Sequence, residues 1–196
     1  MFYNIIKSIV GVILKIFFRI RVRGARNIPK DGKLILCSNH ASNWDPILIS
    51  IAFPRQIHWM AKKELFKSKF LSNLIFKLGS FPVDRSGADI NAIKSALRIL
   101  KSEGVLGVFP EGTRVKGFDL NNAKSGAILL STKSKAPILP VYINGNYRPF
   151  SSLDIYIGKP TDYAKNIEGK PSSEDYTNMG KELLYDIYNL QNMGGY

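Results

Sequence analysis

The feature that most constrains the fold is the regular alternation of short apolar runs with longer segments of helical periodicity. The strand-like runs are 22–27, 34–37, 57–61, 81–84, 105–109, 138–143 and 153–157. The helix-like segments are 46–53, 65–78, 89–101, 123–134 and 172–190. Strands that alternate with helices form a mainly parallel or mixed sheet covered by helices. The 196-residue chain is therefore predicted to form one α/β domain, with its functional residues in the loops that follow strands.

Residues 1–22 precede this domain and have the pattern of an amphipathic helix. At about 100° per residue, Lys7, Lys15 and Arg19 fall on one arc, and aliphatic residues such as Ile5 surround the rest. A basic helix of this kind lies in a membrane interface with its aliphatic face in the lipid and its cations near anionic headgroups. We therefore predict a monotopic membrane anchor at 1–22 and an α/β domain at 23–196.

Three other interpretations of this N-terminal segment are possible. The helix could pack on its own domain, it could span the membrane, or it could be a signal peptide. Lys7 and Lys15 interrupt the apolar stretch, which disfavours a span. Arg19 and Arg21 follow where a signal peptide would have the small residues of a cleavage site. Packing on the domain stays open as the structural alternative.

The charge of the chain predicts an anionic partner. Lys and Arg number 28 against 15 Asp and Glu, a net charge of +13. Nucleic acid, a membrane surface and phosphorylated or acidic-carrier substrates all satisfy this excess. The cations are scattered and the most apolar segment is N-terminal, which disfavours the nucleic-acid class. The single Cys37 cannot form an intramolecular disulfide, and we expect a small buried residue in a protein from a reducing compartment.

The segment 39–45, with the sequence NHASNWD, carries a candidate general base. It lies between the apolar strand at 34–37 and a helix that is expected to start at Pro46, because proline suits the first helical position. His40 should therefore leave the sheet at the end of a strand. On one continuous helix, His40 and Asp45 would lie about 140° apart, so a turn must separate them if they are to meet.

Ser42 and Asn43 supply the chemistry for that turn, because both side chains hydrogen-bond nearby backbone groups. A carboxylate on one ring nitrogen fixes the tautomer of an imidazole and stabilises the imidazolium that forms when the other nitrogen takes a proton. His40 with Asp45 would thus be a general base without a nucleophile of its own. The alternative is that Asp45 caps the helix and His40 is satisfied by backbone groups.

A second candidate, at 109–114 with the sequence FPEGTR, directly follows another apolar strand. Glu111 offers a carboxylate, Gly112 allows close backbone approach, Thr113 offers a hydroxyl, and Arg114 offers a guanidinium fork. Together these groups suit a cradle for a phosphate. The alternative is a solvated turn with an exposed ion pair between Glu111 and Arg114, which would contribute little stability.

Two more cations follow predicted strands. Lys62 comes after the strand at 57–61, and Arg85 comes after the strand at 81–84. If the sheet is parallel, both lie along the edge that displays His40. Each alone would be an ordinary surface charge. The second imidazole, His58, lies within an apolar strand and is expected to be structural.

The strand at 137–141 is flanked by prolines, which predicts a sheet edge or a bulge. We find no phosphate-binding P-loop, Gly-x-Ser-x-Gly elbow or dinucleotide fingerprint, and no cysteine and histidine cluster. No metal or other cofactor is therefore expected.

These motifs together resemble those of the glycerolipid acyltransferases, and most of all those of the bacterial 1-acyl-sn-glycerol-3-phosphate (lysophosphatidate) acyltransferases. The resemblance covers roughly residues 20–160. The four blocks that carry it, in the family's order and approximate spacing, are Asn39-His40 with Asp45, 79–85, 109–114 and 137–141.

The resemblance implies transfer of a fatty acyl group from acyl-CoA or acyl-carrier protein to the sn-2 hydroxyl of lysophosphatidate, which gives phosphatidate. It implies these roles: His40 as general base, Asp45 as its orienting partner, Glu111, Gly112, Thr113 and Arg114 as acceptor-binding residues with Arg114 on the phosphate, and Lys62 and Arg85 as assisting cations. The expected location is the cytoplasmic face of the cell membrane, against an anionic lipid surface. Acylation of another lysolipid, a nucleic-acid-binding protein and an inactive membrane scaffold are the alternatives.

Overall fold

The computed structural model describes residues 2–84, 87, 89–165, 167 and 169–192. The strands are β1 (Arg19–Arg23), β2 (Leu34–Ser38), β3 (Ile57–Lys62), β4 (Phe81–Val83), β5 (Val105–Val108), β6 (Ile138–Gly145) and β7 (Ser152–Ile157). The α-helices are α1 (Phe2–Phe17), α2 (Asp45–Ala52), α3 (Lys69–Lys77), α4 (Ile90–Lys101), α5 (Gly126–Ser134) and α6 (Ser173–Asn189). Strands and helices alternate along most of the chain, which confirms the predicted α/β class.

The seven strands form one sheet in the order β1-β7-β6-β2-β5-β3-β4. The five strands from β6 to β4 in that order are parallel. β7 runs antiparallel to β6, and β1 pairs in parallel with β7. The sheet is therefore mixed, and the carboxyl ends of its five parallel strands share one edge.

Both faces of the sheet are covered. In β2, Leu34 and Leu36 belong to the apolar cluster that includes residues of α1 and α2, whereas Ile35 and Cys37 belong to the cluster with α4, α5 and α6. All four side chains are fully buried. A strand covered on both faces is apolar throughout, so this unbroken run marks the centre of the sheet. Cys37 is buried as expected, and burial raises the pKa of its thiol.

The proline-flanked strand is not at an edge, because β6 lies between β2 and β7. Of the two predicted settings, the edge is therefore wrong, whereas the pairings of Ile138 with Thr161 and of Val141 with Ile157 differ by one residue in register, which is a bulge beside Pro140. The Pro140 carbonyl accepts a hydrogen bond from the Gly158 N–H at 2.9 Å, so the backbone polar groups of Pro140 point towards the β7 side. The paired register with β7 starts only at Val141 and Ile157. The position of the missing proline N–H therefore faces away from β2. Proline at this position removes no hydrogen bond between β6 and β2, and β6 can lie inside the sheet.

The predicted helix at 65–78 is broken. A 3₁₀ turn covers Lys63–Phe66, and α3 begins only at Lys69. The N-terminal helix is also shorter than the expected segment 1–22, because residues 19–23 pair with β7 as β1 instead of continuing the helix.

α1 packs on the domain through its polar arc. The Lys7 ammonium donates a hydrogen bond to the carbonyl of Phe53, the C-cap residue of α2, where the helix dipole favours a cation. Gly11 faces Ile51, and Leu14 is buried. Lys7 therefore bonds to the protein, which corrects its expected position near headgroups. The aliphatic face points outwards, and no helix in the described ranges is long and apolar enough to cross a membrane.

Candidate active site

The candidate base lies where β2 leaves the sheet, and Asn39 fixes this exit to the neighbouring strand. The Asn39 side-chain amide donates to the Ile143 carbonyl at 3.0 Å, and its oxygen accepts from the Ile143 N–H at 2.8 Å. This pair of bonds extends the contact between β2 and β6 by one step. The chain after Asn39 therefore starts from a rigid point at the carboxyl edge of the sheet.

His40 and Asp45 meet across the predicted turn. His40 Nδ1 lies 2.9 Å from Asp45 Oδ2, and the same oxygen accepts from the backbone N–H groups of Ala41 and Ser42 at 2.8 Å each. Asp45 Oδ1 accepts from the Tyr147 hydroxyl at 2.5 Å. The Asp45 carboxylate thus accepts four hydrogen bonds. Because Asp45 is the first residue of α2, these bonds hold the turn against the start of that helix.

This geometry decides the tautomer of the imidazole. An ionised carboxylate can only accept, so Nδ1 of His40 carries the proton and Nε2 keeps its lone pair. Asp45 is fully buried and His40 is only 7% exposed. A base held in this way can take a proton at Nε2, and Asp45 stabilises the imidazolium that results.

The His40 ring is held from one side by aromatic stacking. Phe109 lies parallel to it, with ring centroids 3.9 Å apart and an interplanar angle of 13°. Trp59 in β3 stacks on Phe109 at 4.9 Å. Trp59 in turn lies over Gly107 of β5, where a Cβ atom would approach the indole Cδ2 to 2.6 Å. The position of the imidazole ring therefore depends on a glycine two strand positions before Phe109.

Glu111 supports the backbone of His40. Its Oε2 accepts from the His40 N–H at 2.8 Å, and its Oε1 accepts from the Tyr188 hydroxyl of α6 at 2.7 Å. The His40 carbonyl accepts from the Val115 N–H at 2.8 Å. Burial raises the pKa of the Glu111 carboxyl, an effect that the Tyr188 and His40 bonds oppose. Both oxygens have protein partners. Among the ion pairs of the described residues there is none between Glu111 and Arg114.

Gly112, Thr113 and Arg114 continue this loop at the surface. Gly112 has a φ of +70°, a left-handed backbone conformation that residues with a side chain rarely adopt. Among the described residues, no ion pair or hydrogen bond occupies the Arg114 guanidinium. Because Val115 bonds to the His40 backbone, Arg114 is held one residue from a contact with the candidate base.

Of the two other predicted cations, only Lys62 is among the described residues. Lys62 is the last residue of β3, so it lies at the expected edge, where its ammonium is exposed and 3.7 Å from Glu64. Arg85 lies outside the described residues. His58 Nδ1 donates to the Gly79 carbonyl at 2.8 Å, which agrees with its expected structural role.

Two residues that the sequence did not indicate take part in the site. Tyr147 reaches Asp45 from the loop between β6 and β7, and Tyr188 reaches Glu111 from α6. Their partners lie 102 and 77 residues away along the chain, and neither tyrosine stands in a recognisable motif. Only their position after the carboxyl end of a parallel strand, in the case of Tyr147, could have suggested a role.

A mixed α/β sheet that presents a buried His-Asp pair at the carboxyl edge of its parallel strands can supply a general base to a bound substrate, as an acyltransferase does. The sequence model of the family described as "Acyltransferase" matches residues 19–144. The chain belongs to this family, and within it to the 1-acyl-sn-glycerol-3-phosphate acyltransferases.

Two relatives and one solved structure document the similarity. The 1-acyl-sn-glycerol-3-phosphate acyltransferase of Bacillus subtilis (strain 168) is 31% identical over an alignment of 199 residues, gaps included, which covers 97% of this chain and 97% of that protein. The enzyme of the same name from Streptococcus pneumoniae is 35% identical over 149 residues, 74% of this chain and 55% of that protein. The crystal structure of the 1-acyl-sn-glycerophosphate (LPA) acyltransferase PlsC from Thermotoga maritima has 26% sequence identity and a TM-score of 0.73, covering 99% of this chain and 82% of that one.

Proposed function

We propose that the protein transfers a fatty acyl group from a thioester to the sn-2 hydroxyl of 1-acyl-glycerol-3-phosphate, which gives phosphatidate and a free thiol. The observation that carries the proposal is the buried contact between His40 Nδ1 and Asp45 Oδ2. The names of the relatives supply the substrate class.

The reaction needs one base and no nucleophile from the protein. His40 Nε2 takes the proton of the sn-2 hydroxyl while the hydroxyl oxygen attacks the thioester carbonyl carbon. The tetrahedral intermediate then collapses, the C–S bond breaks, and the thiolate takes a proton from the imidazolium. Asp45 stabilises the imidazolium between the two proton transfers. Because a thioester is already activated, general-base assistance of about 10² to 10⁴ is the main chemical contribution of the pair.

Arg114 holds the phosphate of the acceptor in this proposal. Its guanidinium is exposed at the same sheet edge as His40, and such a fork suits phosphate oxygens. Gly112 and Thr113 belong to the same phosphate-binding loop. Glu111 contributes by holding the His40 backbone, because its carboxylate is buried against Tyr188 and His40 itself.

The donor is acyl-CoA or acyl-carrier protein, and both are anionic. Lys62, the last residue of β3, and Arg85, which comes after β4 in the sequence, would attract either donor by their positive charge. We further propose that the protein works as a peripheral or monotopic protein on the cytoplasmic face of the cell membrane. The outward face of α1 supports this location, because Val12 and Ile16 are each 64% exposed. Buried aliphatic area of this kind binds a helix to a lipid interface.

The test is an assay of purified protein with lysophosphatidate, acyl-CoA or acyl-carrier protein, and anionic vesicles. His40→Ala should lower kcat by about 10² to 10⁴. His58→Gln is the matched control, because this histidine bonds to the Gly79 carbonyl inside the domain, and it should keep the rate within a few-fold. Wild-type rates in His40→Ala would refute the base assignment.

The acceptor is tested in the same assay with a panel of lysolipids. Arg114→Ala should raise the KM for lysophosphatidate while it leaves activity with a phosphate-free monoacylglycerol unchanged. If another lysolipid is acylated faster than lysophosphatidate by the wild-type protein, the acceptor assignment is wrong although the chemistry stands.

A further inference from the structure

α3 is an amphipathic helix that exposes large apolar side chains. None of its nine residues, all of which the structure describes, is buried. Phe70 is 83% exposed and Phe76 is 50% exposed, and Leu71 and the preceding Leu65 are exposed as well. We refer to Leu65, Phe70, Leu71 and Phe76 as the α3 patch. Large exposed apolar residues that are concentrated in one short segment indicate an interaction site.

The α3 patch is supported from within the domain. The Phe76 ring packs against Phe66 of the 3₁₀ turn, with ring centroids 4.8 Å apart. The turn follows β3 directly, and β4 starts soon after α3 ends. The apolar side chains are therefore presented by a short connection between two strands that are paired in the sheet.

Lysines flank the α3 patch on both sides. Lys67 and Lys69 precede Phe70 in the chain, and Lys77 follows Phe76. All three are exposed, and α3 itself contains no acidic residue. An apolar face bordered by lysines is the pattern of a helix at an anionic lipid interface. Each such cation contributes on the order of 1 kcal/mol at an anionic surface.

The α3 patch adjoins the outward face of α1. The Lys77 ammonium lies 5.6 Å from the centroid of the Phe2 ring, a cation–π contact between the end of α3 and the start of α1. Phe2 is itself exposed. This contact brings the end of α3 next to the start of α1, so a bilayer that covers the outward face of α1 lies near α3.

We propose that the α3 patch is a second bilayer contact, in which Phe70 and Leu71 enter the lipid interface and the flanking lysines meet anionic headgroups. This inference rests on the proposed membrane association of α1. Two contact elements fix the orientation of a protein on a membrane, whereas one helix leaves it free to rotate about the helix axis. The second contact would therefore hold the carboxyl edge of the sheet at a constant height above the lipid.

The experiment measures partitioning of the full chain onto vesicles of phosphatidylcholine and phosphatidylglycerol in equal parts. Phe70→Ser should weaken partitioning roughly tenfold, as expected for removal of one large apolar side chain from lipid. Ile90→Ser is the matched control, because Ile90 is 64% exposed at the start of α4 on the other face of the sheet, and it should change partitioning less than twofold. Both variants should acylate a short-chain, monomeric lysophosphatidate at the wild-type rate.

The possible outcomes separate this inference from the proposal on which it rests. If wild-type protein does not bind the vesicles, the membrane association of α1 is wrong and the α3 proposal is overturned with it. If wild-type protein binds and Phe70→Ser binds equally well, only the α3 proposal is overturned. If Phe70→Ser keeps vesicle binding but loses activity with acyl-carrier protein, the α3 patch is a docking surface for the donor protein and the bilayer proposal is also overturned.

Discussion

Tyr147→Phe should alter the pH dependence of the reaction without touching the base. The substitution removes the hydroxyl that donates to Asp45 Oδ1 at 2.5 Å. Among the described residues this is the one hydrogen-bond donor on that oxygen, since Oδ2 takes the bonds from His40, Ala41 and Ser42. Burial and the Asp45 carboxylate raise the pKa of the Tyr147 phenol, so the hydroxyl remains a donor throughout the working pH range.

The magnitude follows from the loss of one bond to a charged group. Such a bond contributes about 1.5 to 3 kcal/mol. With one donor fewer, more negative charge stays on Asp45, and the protonated imidazole of His40 is stabilised across the 2.9 Å contact. If about half of this free energy is transferred across the contact, roughly 1 kcal/mol, the protonated imidazole is favoured several-fold more than in the wild-type protein. The protonated imidazole cannot act as a base, so the acidic limb of the profile must move to higher pH.

The assay is kcat/KM against pH for wild-type protein, Tyr147→Phe and Tyr163→Phe. Tyr163 is the matched control, because its hydroxyl donates to the Asp186 carboxylate at 2.8 Å in the cluster on the other face of the sheet. Both variants should lose stability, and only Tyr147→Phe should shift the acidic limb. An unchanged profile in Tyr147→Phe, or an equal shift in Tyr163→Phe, would refute the reasoning.

Two further substitutions test the supports of the base. Glu111→Gln should stay within a few-fold of the wild-type rate, since an amide oxygen and amide nitrogen can replace both hydrogen bonds, whereas Glu111→Ala leaves a buried N–H unpaired at a cost of about 1 to 3 kcal/mol. Burial raises the pKa of Glu111, so above pH 4.5 the native state binds more protons than the unfolded state and the free energy of unfolding falls as the pH rises. Glu111→Gln removes this titration, so the decrease of Tm with pH should become smaller. Gly107→Ala should lower both Tm and kcat by displacing the Trp59 ring, with an overpacking cost of about 1 to 3 kcal/mol, whereas Gly117→Ala, with open space around the new Cβ, should change neither. Equal effects of the two alanines would contradict the stacking account.

The sequence was sufficient for the parts of the site that are close together along the chain. His40 and Asp45 are five residues apart, and the turn chemistry between them predicted their contact. The apolar alternation also predicted the α/β class, because burial on both faces leaves a clear pattern in strands such as β2. The interior place of β6 could not be predicted, because it depends on which neighbour the missing Pro140 N–H faces, and that is decided only when the strands pair.

The contacts of the N-terminal helix also could not be predicted from the sequence, which is why Lys7 was wrongly expected near lipid headgroups. Periodicity separates the two faces of a helix, but it does not say what each face contacts. A polar arc with Lys7 and Gly11 can face headgroups or a neighbouring helix. In the structure the absence of a side chain at Gly11 lets Ile51 of α2 approach, and the carbonyl of Phe53 at the end of α2 accepts a hydrogen bond from Lys7. Because the polar arc packs on the domain, the aliphatic face of α1 points outwards. A membrane anchor needs the same outward face.

The supports around His40 bear on acceptor selectivity as much as on basicity. Two hydrogen bonds connect the base to the loop that carries Arg114: the His40 N–H donates to the Glu111 carboxylate, and the Val115 N–H donates to the His40 carbonyl. In a lysophosphatidate the sn-2 hydroxyl and the phosphate are joined by a few covalent bonds, so their separation varies little. The two bonds hold the backbone of His40 close to the backbone of the Arg114 loop, which suits an acceptor that carries its hydroxyl and its phosphate close together. The rigid connection between the two loops, rather than either residue alone, would therefore distinguish a phosphate-bearing acceptor from one without a phosphate.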